Sequence, residues 1–335
     1  MPMCPRDVLD ASRRLGTVAV RTPLLSSPAV DALLGRTVLL KMENVQRTGS
    51  FKFRGAYHAV ARIAPHVRPR GVIGASSGNH AQALALAAHL FRVPATVVMP
   101  ADAPAVKRAA AESAGARVIT YDRRTGRREA IVAALADEQG LMVVPSANSR
   151  DIIAGAGTAA WEMIHEAPDL VAVVVAVGGG GLAAGTALAA RAHHRPPLVI
   201  GVEPTVADDT RRSLRAGRLV AITPPVTIAD GLCHTEPAVI PWEINQRFLH
   251  EVVTVSEDAI AEAMAWLWRH FRTVAEPSGS TALAGLIACH SQLPPGPVGV
   301  ILSGGNVDWT AYRALVTAAL DRSEHARATP PVVLR

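Results

Sequence analysis

The sequence predicts an α/β fold of the doubly wound type, with mostly parallel sheets. Short runs of β-branched residues alternate with alanine-rich stretches along the 335 residues. Several of these runs, such as residues 171–177, are apolar at every position, which is typical of parallel strands covered by helices on both faces. Aromatic residues make up only 4% of the chain, which favours close-packed α/β layers over a β-sandwich.

The predicted elements follow one another in a regular strand–helix order. The strands cover residues 38–42, 71–75, 95–99, 117–121, 142–144, 171–177, 198–202, 252–255 and 298–302. The helices between them cover residues 80–91, 105–114, 127–138, 158–165, 182–193 and 257–272. In folds of this kind, ligands bind at the carboxyl ends of the strands, so the turns that follow strands are the places to search for chemistry.

Composition narrows the class of function. The net charge of +6 comes without interleaved aromatic residues, so nucleic-acid binding is not expected, whereas small anionic ligands suit a mild positive excess. Cys4, Cys233 and Cys289 lie far apart without metal-ligand spacing, which indicates a reducing compartment. There is no signal-peptide pattern and no apolar run long enough to cross a bilayer, so we expect a cytoplasmic protein that does not bind membranes.

Lys52 gives the strongest indication of chemistry. It follows a Thr-Gly-Ser turn and stands between Phe51 and Phe53. A lysine among apolar neighbours is poorly solvated as an ammonium, so its pKa falls, and the neutral amine is a nucleophile that can condense with an aldehyde. On these residues alone the alternative stays open that Lys52 is a surface lysine whose amino group reaches water.

Two glycine-containing turns follow predicted strands and precede predicted helices. Residues 76–80 read Ser-Ser-Gly-Asn-His, and residues 178–181 are four glycines. Each turn offers backbone N–H groups at a helix N-terminus, which suits an anion. The structural alternatives are simple helix capping for the first turn and a flexible connection for the second.

The glycine run also satisfies a pattern of dinucleotide-binding proteins. Gly178, Gly180 and Ala183 fit G-x-G-x-x-A, and Glu203 ends the next strand about 20 residues further on. A lone pattern of this kind is weak. A nicotinamide-dependent oxidoreductase is nevertheless the competing interpretation of this turn.

Three further segments hold polar residues at comparable places. Residues 276–280 read Glu-Pro-Ser-Gly-Ser before an alanine-rich helical stretch, and residues 303–306 read Ser-Gly-Gly-Asn after a strand. The segment 203–209 holds carboxylates and loop carbonyls that could bind a hard cation through oxygen. A solvated acidic loop is the alternative for this last segment.

Taken in order, these motifs resemble the fold-type-II pyridoxal-phosphate enzymes, which are tryptophan-synthase-β-like. The resemblance rests on Thr-Gly-Ser-Phe-Lys-Phe-Arg-Gly-Ala at 48–56, Ser-Ser-Gly-Asn-His at 76–80, the glycines at 178–181, Glu-Pro-Ser-Gly at 276–279 and Ser-Gly-Gly-Asn at 303–306. It covers about residues 15 to 320 and fits best the group of threonine/serine dehydratases and serine racemases. It weighs strongly against the oxidoreductase.

The resemblance implies a cofactor site. Lys52 would condense with the aldehyde of pyridoxal phosphate and act afterwards as general base at the substrate Cα. The other implied contacts are Phe51 and Gly231 near the cofactor ring, Asn79 at the ring hydroxyl, Ser303 at the pyridine nitrogen, and Gly178, Gly179, Gly180 and Gly181 at the phosphate.

The resemblance also implies a substrate site and a cation site. The implied substrate contacts are Ser76, Ser77, Gly78 and His80 at the carboxylate, and Arg127 and His234 at the side chain. Ser77 would also be catalytic, because racemisation needs an acid on the face of the carbanion opposite Lys52. Magnesium or another divalent cation would bind Glu203, the carbonyl of Ala207 and Asp209.

The function that follows is the elimination of water from a β-hydroxy-α-amino acid such as L-threonine or L-serine, which yields a 2-keto acid and ammonia. Because segment 232–237 departs from that of threonine dehydratases, a larger substrate such as 3-hydroxyaspartate stays open, as does a serine racemase. A non-catalytic amino-acid-binding protein is the alternative of another class. We expect a large domain (residues 1–66 and 149–325), a small mobile domain (67–148), a C-terminal tail (326–335) and, by family, a homodimer.

Overall fold

Two sheets organise the chain. The computed structural model describes residues 2–76, 78–103, 105–122 and 126–328, with the backbone alone for residues 106 and 323–328. The described strands are β1 (Leu24–Leu25), β2 (Val38–Met42), β3 (Val72–Ala75), β4 (Ala95–Pro100), β5 (Arg117–Tyr121), β6 (Met142–Val143), β7 (Ala172–Ala176), β8 (Leu198–Pro204), β9 (Glu251–Val255) and β10 (Val298–Leu302). The six-stranded sheet has the order β1-β2-β10-β7-β8-β9, and the four-stranded sheet has the order β5-β4-β3-β6. The pair β1–β2 is antiparallel and the other pairs are parallel, so the predicted α/β fold is confirmed.

Helices cover both faces of the six-stranded sheet. The described helices are α1 (Pro5–Leu15), α2 (Pro28–Leu34), α3 (Lys52–Arg62), α4 (Asn79–Leu90), α5 (Ala105–Ser113), α6 (Arg128–Gln139), α7 (Arg150–Glu166), α8 (Gly181–Arg191), α9 (Asp209–Ala216), α10 (Val239–Phe248), α11 (Glu257–Trp266), α12 (Pro277–Cys289) and α13 (Trp309–Ala328). In β7, Val174 packs among residues of α11 and α12, whereas Val173 and Val175 pack among residues of α7 and α8. This burial on both sides is why β7 is apolar at every position.

The predicted strands are all present, with small shifts of their ends. The short strand β1 was not predicted, and neither were α1, α2, α3, α9, α10 and α13. The helix predicted over 158–165 is longer, since α7 begins at Arg150. The helix predicted over 257–272 is wrong in its last turn, because α11 ends at Trp266 and the next five residues form a π-helix.

Close helix packing fixes the position of Lys52 at the first turn of α3. Gly155 on α7 lies so near α3 that a Cβ added there would be 2.6 Å from the Arg54 carbonyl oxygen. A Cβ added at Gly55 would be 2.9 Å from the Ile152 carbonyl oxygen. The two helices can approach this closely only because both positions are glycine.

A buried network of charges ties α3 to β2 and α7. Arg54 is fully buried and donates to Glu43 at 2.7 Å and to Glu162 at 2.7 Å. Lys41, also fully buried, donates to Glu162 at 2.7 Å. Burial raises the pKa of Glu43, but the charge of Arg54 beside it reverses this effect, so that the net pKa is lowered. With two cations facing two carboxylates, the network is balanced and holds α3 in one register.

The division into sheets follows the division of the chain. The four-stranded sheet takes its strands from residues 72–143, and the six-stranded sheet takes its strands from both sides of that segment. The domain boundaries and the mobility of residues 67–148 stay predictions. The predicted tail begins inside α13, which continues to Ala328, and the rest of it lies outside the described residues. Among the described helices, none combines the length and the apolar character that a membrane crossing requires.

Candidate active site

A cleft lies where the turns that follow the strands of both sheets meet. Its wall contains residues that follow β3, β6, β7 and β10, together with Lys52 and the segment from Asp230 to His234. The pairing of β2 with β10 brings Met42 opposite Leu302, so the chain after β2 lies beside the chain after β10. Phe51 N–H accordingly donates to the Ser303 carbonyl at 3.1 Å. The cleft therefore contains motifs that are far apart in the sequence.

Lys52 projects its amine into this cleft. Its Nζ donates to the Ser146 carbonyl at 2.8 Å and lies 5.0 Å from the centroid of the Phe51 ring. Burial, and then the charge of Arg128, lower the pKa of Lys52 to about 8 against the opposing effect of Glu276. A substantial fraction of the amine is therefore neutral near pH 8, which is the nucleophilic form.

The four glycines form a tight turn that leads from β7 into α8. Gly180 has a φ of +84°, which favours glycine. A Cβ added at Gly179 would lie 2.9 Å from the Ala147 Cβ and 3.0 Å from His234 Cε1. The Gly180 carbonyl accepts a hydrogen bond from the fully buried Asn245 side chain at 3.2 Å. Backbone packed this closely at a helix N-terminus suits a phosphate group.

Glu203 rules against the dinucleotide interpretation of these glycines. Its two carboxylate oxygens accept the backbone N–H groups of Thr210 and Arg211, each at 2.9 Å, and its side chain is fully buried. It therefore caps the start of α9. A ribose-binding carboxylate would instead have to face the ligand.

Asn79 and Glu276 form a polar pair across the cleft. Asn79 donates to a carboxylate oxygen of Glu276, and its own carbonyl oxygen accepts from Asn306 at 2.9 Å. Burial raises the pKa of Glu276 to about 7, and Lys107 opposes this rise. Both polar atoms of Asn79 thus have protein partners, and its bond to the cofactor's ring hydroxyl stays a prediction. Glu276 belongs to the motif that was recognised before α12, but no role in the site was predicted for it.

Ser303 and Gly231 lie close together against the start of α12. The Ser303 hydroxyl is 3.5 Å from the Ser278 carbonyl oxygen, and the Gly231 N–H donates to the Ser278 hydroxyl at 2.9 Å. Both line the cleft, as do Phe51 and Asn79. The structure therefore brings together all the residues predicted to contact the cofactor.

The turn after β3 holds the residues predicted for the substrate carboxylate, with one correction. Ser76 accepts the Gly78 N–H at 3.1 Å, and Ser77 lies outside the described residues. His80 Nε2 is 2.9 Å from the Val144 carbonyl oxygen, which can only accept, so Nε2 carries the hydrogen. Burial and the charge of Lys52 lower the pKa of His80 to about 4, so Nδ1 is unprotonated. The His80 side chain therefore offers a carboxylate no N–H, whereas the backbone N–H groups in this first turn of α4 can bind one.

Arg128, rather than Arg127, lines the cleft. Arg127 is exposed and precedes α6, whereas Arg128 begins that helix and faces the other lining residues. His234 lines the cleft as predicted and packs on the glycine turn. Burial, followed by the charges of Lys52 and Arg128, lowers the pKa of His234 to about 3. His234 is therefore a neutral side chain beside two cations.

The predicted cation residues form a separate acidic cluster. Asp209 is almost fully buried, and its two carboxylate oxygens have no hydrogen-bond partner among the described residues. Burial, and then the nearby charge of Glu203, raise the pKa of Asp209 to about 8. Burial also raises the pKa of Glu203 to about 7. Within the described residues, no group of three or more histidine, cysteine, aspartate or glutamate side chains has a metal-binding arrangement. The predicted site has two such side chains and one carbonyl.

Comparison with known proteins places these features in one family. Residues 17–304 match the family model described as pyridoxal-phosphate dependent enzyme. An L-threo-3-hydroxyaspartate ammonia-lyase of Pseudomonas sp is 44% identical over 310 residues, which are 92% of this chain and 97% of that one. A protein of Saccharomyces cerevisiae with the same name is 43% identical over 315 residues, 94% of this chain and 97% of that one. The crystal structure of T.th. threonine deaminase has a TM-score of 0.85 and 40% identity, and covers 91% of this chain and 98% of that one.

The site fits the cofactor of this family. Lys52 has the lowered pKa that condensation with an aldehyde needs, and the glycine turn leaves no room for side chains, so its backbone N–H groups at the start of α8 are the groups that could hold a phosphate. The relatives confirm the prediction of a pyridoxal-phosphate-dependent ammonia-lyase and support β-elimination without fixing the substrate. The chain belongs to the pyridoxal-phosphate dependent enzymes, in the group of threonine/serine dehydratases and serine racemases.

Proposed function

We propose that this enzyme eliminates water from a β-hydroxy-α-amino acid whose side chain carries a second carboxylate, of the type of L-threo-3-hydroxyaspartate, and releases a 2-keto acid and ammonia. The observation that carries this proposal is the position of Arg128 in the cleft wall, where its charge acts on both Lys52 and His234. A second carboxylate needs a cation of this kind. The names of two relatives point to the same substrate class.

The residues of the chain divide the work of the reaction. Pyridoxal phosphate, when bound, withdraws electrons from the substrate Cα. Lys52 Nζ, with its lowered pKa, accepts the Cα proton as general base. The first turn of α4 binds the α-carboxylate through backbone N–H groups, and Arg128 orients the second carboxylate. Ser303, with its hydroxyl, faces the pyridine nitrogen in this proposal.

The proposal for Arg128 is tested against its neighbour, because the two arginines differ by one position. Arg128→Gln should lower kcat/KM for threo-3-hydroxyaspartate by roughly 100-fold, because a charge-assisted hydrogen bond is lost. The kcat/KM for L-serine should change far less. Arg127→Gln is the matched variant. If only Arg127→Gln lowers kcat/KM, Arg127 is the substrate contact, as the sequence predicted. If Arg128→Gln affects both substrates equally, Arg128 does not bind the second carboxylate. Assays for ammonia and for inverted stereochemistry of the remaining substrate separate the lyase from the racemase.

The acidic cluster supports a divalent cation at Glu203, the Ala207 carbonyl and Asp209. Two unpaired oxygens on a buried aspartate are costly without a partner, and oxygen donors are the ligands that magnesium and calcium prefer. Ala207 is itself buried in the loop that joins the two acids. A bound cation would stabilise this loop and the start of α9.

Exposed apolar side chains support the homodimer. Val45, Val274 and Trp309 are 52%, 36% and 62% exposed. The segments of Val45 and Val274 touch, because Asn44 donates to the Val274 carbonyl at 2.9 Å, and Asn44 also packs near Gly305, four residues before Trp309. Exposed large apolar side chains on neighbouring segments are typical of a protein interface. A second copy of this chain is the partner we propose.

The cysteines support a cytoplasmic location. Among the described residues, no disulfide joins Cys4, Cys233 or Cys289, and Cys4 is exposed. Cysteines outside disulfides, including an exposed one, suit a reducing compartment.

A further inference from the structure

An ion pair crosses the cleft close to the substrate turn. Lys107 lies on α5, beside the four-stranded sheet, and its Nζ is 2.7 Å from the Asp230 carboxylate. Asp230 belongs to the segment that precedes Gly231, whose N–H is bonded to Ser278 at the start of α12. The pair therefore joins the part of the chain built on the four-stranded sheet to the part built on the six-stranded sheet.

The two partners have different access to water. The Lys107 side chain is 9% exposed, whereas the Asp230 side chain is 45% exposed. A lysine that is almost buried depends on its counter-ion, because an unpaired charge in such a place is poorly solvated. If the two parts of the chain moved apart, Lys107 would lose the carboxylate that compensates its charge. The ion pair thus favours the closed cleft.

Lys107 also supports the turn that we assign to the substrate α-carboxylate. A Cβ added at Gly78 would lie 3.2 Å from Lys107 Nζ, so the amine packs directly against that turn. Lys107 and Asp230 both line the cleft, as does the buried Glu276, on whose pKa their charges act with opposite sign. The pair and the substrate turn are therefore parts of one closed arrangement.

We propose that Lys107 and Asp230 are positioning residues, whose ion pair holds the cleft closed while the substrate is bound. This inference rests on the function proposed above. Because only the closed arrangement binds substrate fully, a weaker pair raises the apparent KM in inverse proportion to the fraction of enzyme that is closed. Saturating substrate restores closure, so kcat stays close to that of the unaltered enzyme.

A double-mutant cycle tests the pair in the cofactor-loaded enzyme. Lys107→Gln and Asp230→Asn should each raise KM about 10-fold, the size expected for a pair between the exposed and the buried extremes. The double variant should be no worse than the more affected single variant, since the second substitution has no pair left to break. Lys107→Arg, which keeps the cation, should recover most of the loss. Arg117→Gln, an exposed charge on β5, is the control and should leave KM unchanged.

Hydrogen exchange provides a readout that does not depend on turnover. Each single variant should speed the exchange of amides in residues 78–82 several-fold, and the double variant should not exceed them. Multiplying effects in the double variant, or unchanged KM and exchange in both single variants, would overturn the proposal. Should the unaltered enzyme convert no β-hydroxy amino acid, the proposed function fails, and the exchange measurements still decide whether the ion pair holds the cleft closed.

Discussion

Removing Lys52 should stabilise the cofactor-free protein. Burial lowers the pKa of this lysine from 10.5 to about 8, which corresponds to about 3 kcal/mol in the free energy of unfolding. The Lys52 side chain keeps some exposure at the cleft, and its hydrogen bond to Ser146 is worth about 1 kcal/mol. After these two reductions, we expect Lys52→Met to raise the free energy of unfolding at pH 7 by about 1–2 kcal/mol.

The gain should depend on pH with a definite sign. Between pH 8 and 10.5 the unfolded chain keeps a proton on Lys52 that the folded chain has lost, so the stability of the unaltered protein rises with pH across this window. The advantage of Lys52→Met is therefore constant below about pH 8 and disappears as the pH approaches 10.5. The opposite trend would mean that the folded protein favours the charged amine.

Urea unfolding of both cofactor-free proteins at pH 7, 8, 9 and 10 measures this difference. Lys41→Met is the control, because Lys41 is a fully buried lysine that donates to the carboxylate of Glu162 at 2.7 Å. Breaking that pair leaves an uncompensated carboxylate, so this variant should lose roughly 3 kcal/mol. If Lys52→Met destabilises the protein as Lys41→Met does, the charged amine of Lys52 does not destabilise the folded protein, and our account of its reactivity is wrong.

Three further predictions concern the other parts of the molecule. Gly179→Val should weaken pyridoxal-phosphate binding at least about 10-fold in absorbance titrations, because a side chain there collides with Ala147 and His234, while circular dichroism stays unchanged. Asp209→Asn should abolish any rise in melting temperature on adding magnesium or calcium; an unchanged rise would place the cation elsewhere. Trp309→Glu should shift the protein from dimer to monomer in analytical ultracentrifugation, and a dimer that persists would locate the interface on another surface.

Much of the fold could be predicted because buried parallel strands leave a local signature. A strand such as β7 is covered on both faces, so every position is apolar and the run can be recognised without its neighbours. Helix α3 gave no such signature. It begins with Lys52, Phe53 and Arg54, and its position depends on the glycine contact with α7 and on the buried charges of distant segments.

The candidate site was predictable where a sequence motif forms the turn that lines the cleft. It was less predictable where a side-chain contact joins segments that are distant in the sequence. The glycines at 178–181 and the Ser303 turn line the cleft as expected. Arg127 was chosen over Arg128 by counting, but Arg127 is the extended residue before α6 and is exposed, whereas Arg128 is the first helical residue and lines the cleft. An error of one position therefore exchanges the cleft for solvent. Glu276 received no role, and Lys107 was missed, because their partners, Asn79 and Asp230, are more than 100 residues away.

The motif around Lys52 shows how one short segment meets two opposite electrostatic demands. Arg54 follows Lys52 by two residues and is completely buried, yet two carboxylates compensate its charge and fix the start of α3. Lys52 instead donates to a neutral carbonyl and lies near Arg128, so its ammonium form is poorly stabilised. Because the same helix turn carries both residues, the stable arginine network holds in place the amine that the reaction needs in its neutral form. Loss of Arg54 would therefore move Lys52 as well as destabilise the fold. The function of this segment thus requires that the charge of Arg54 be compensated and that the charge of Lys52 be left without a carboxylate partner.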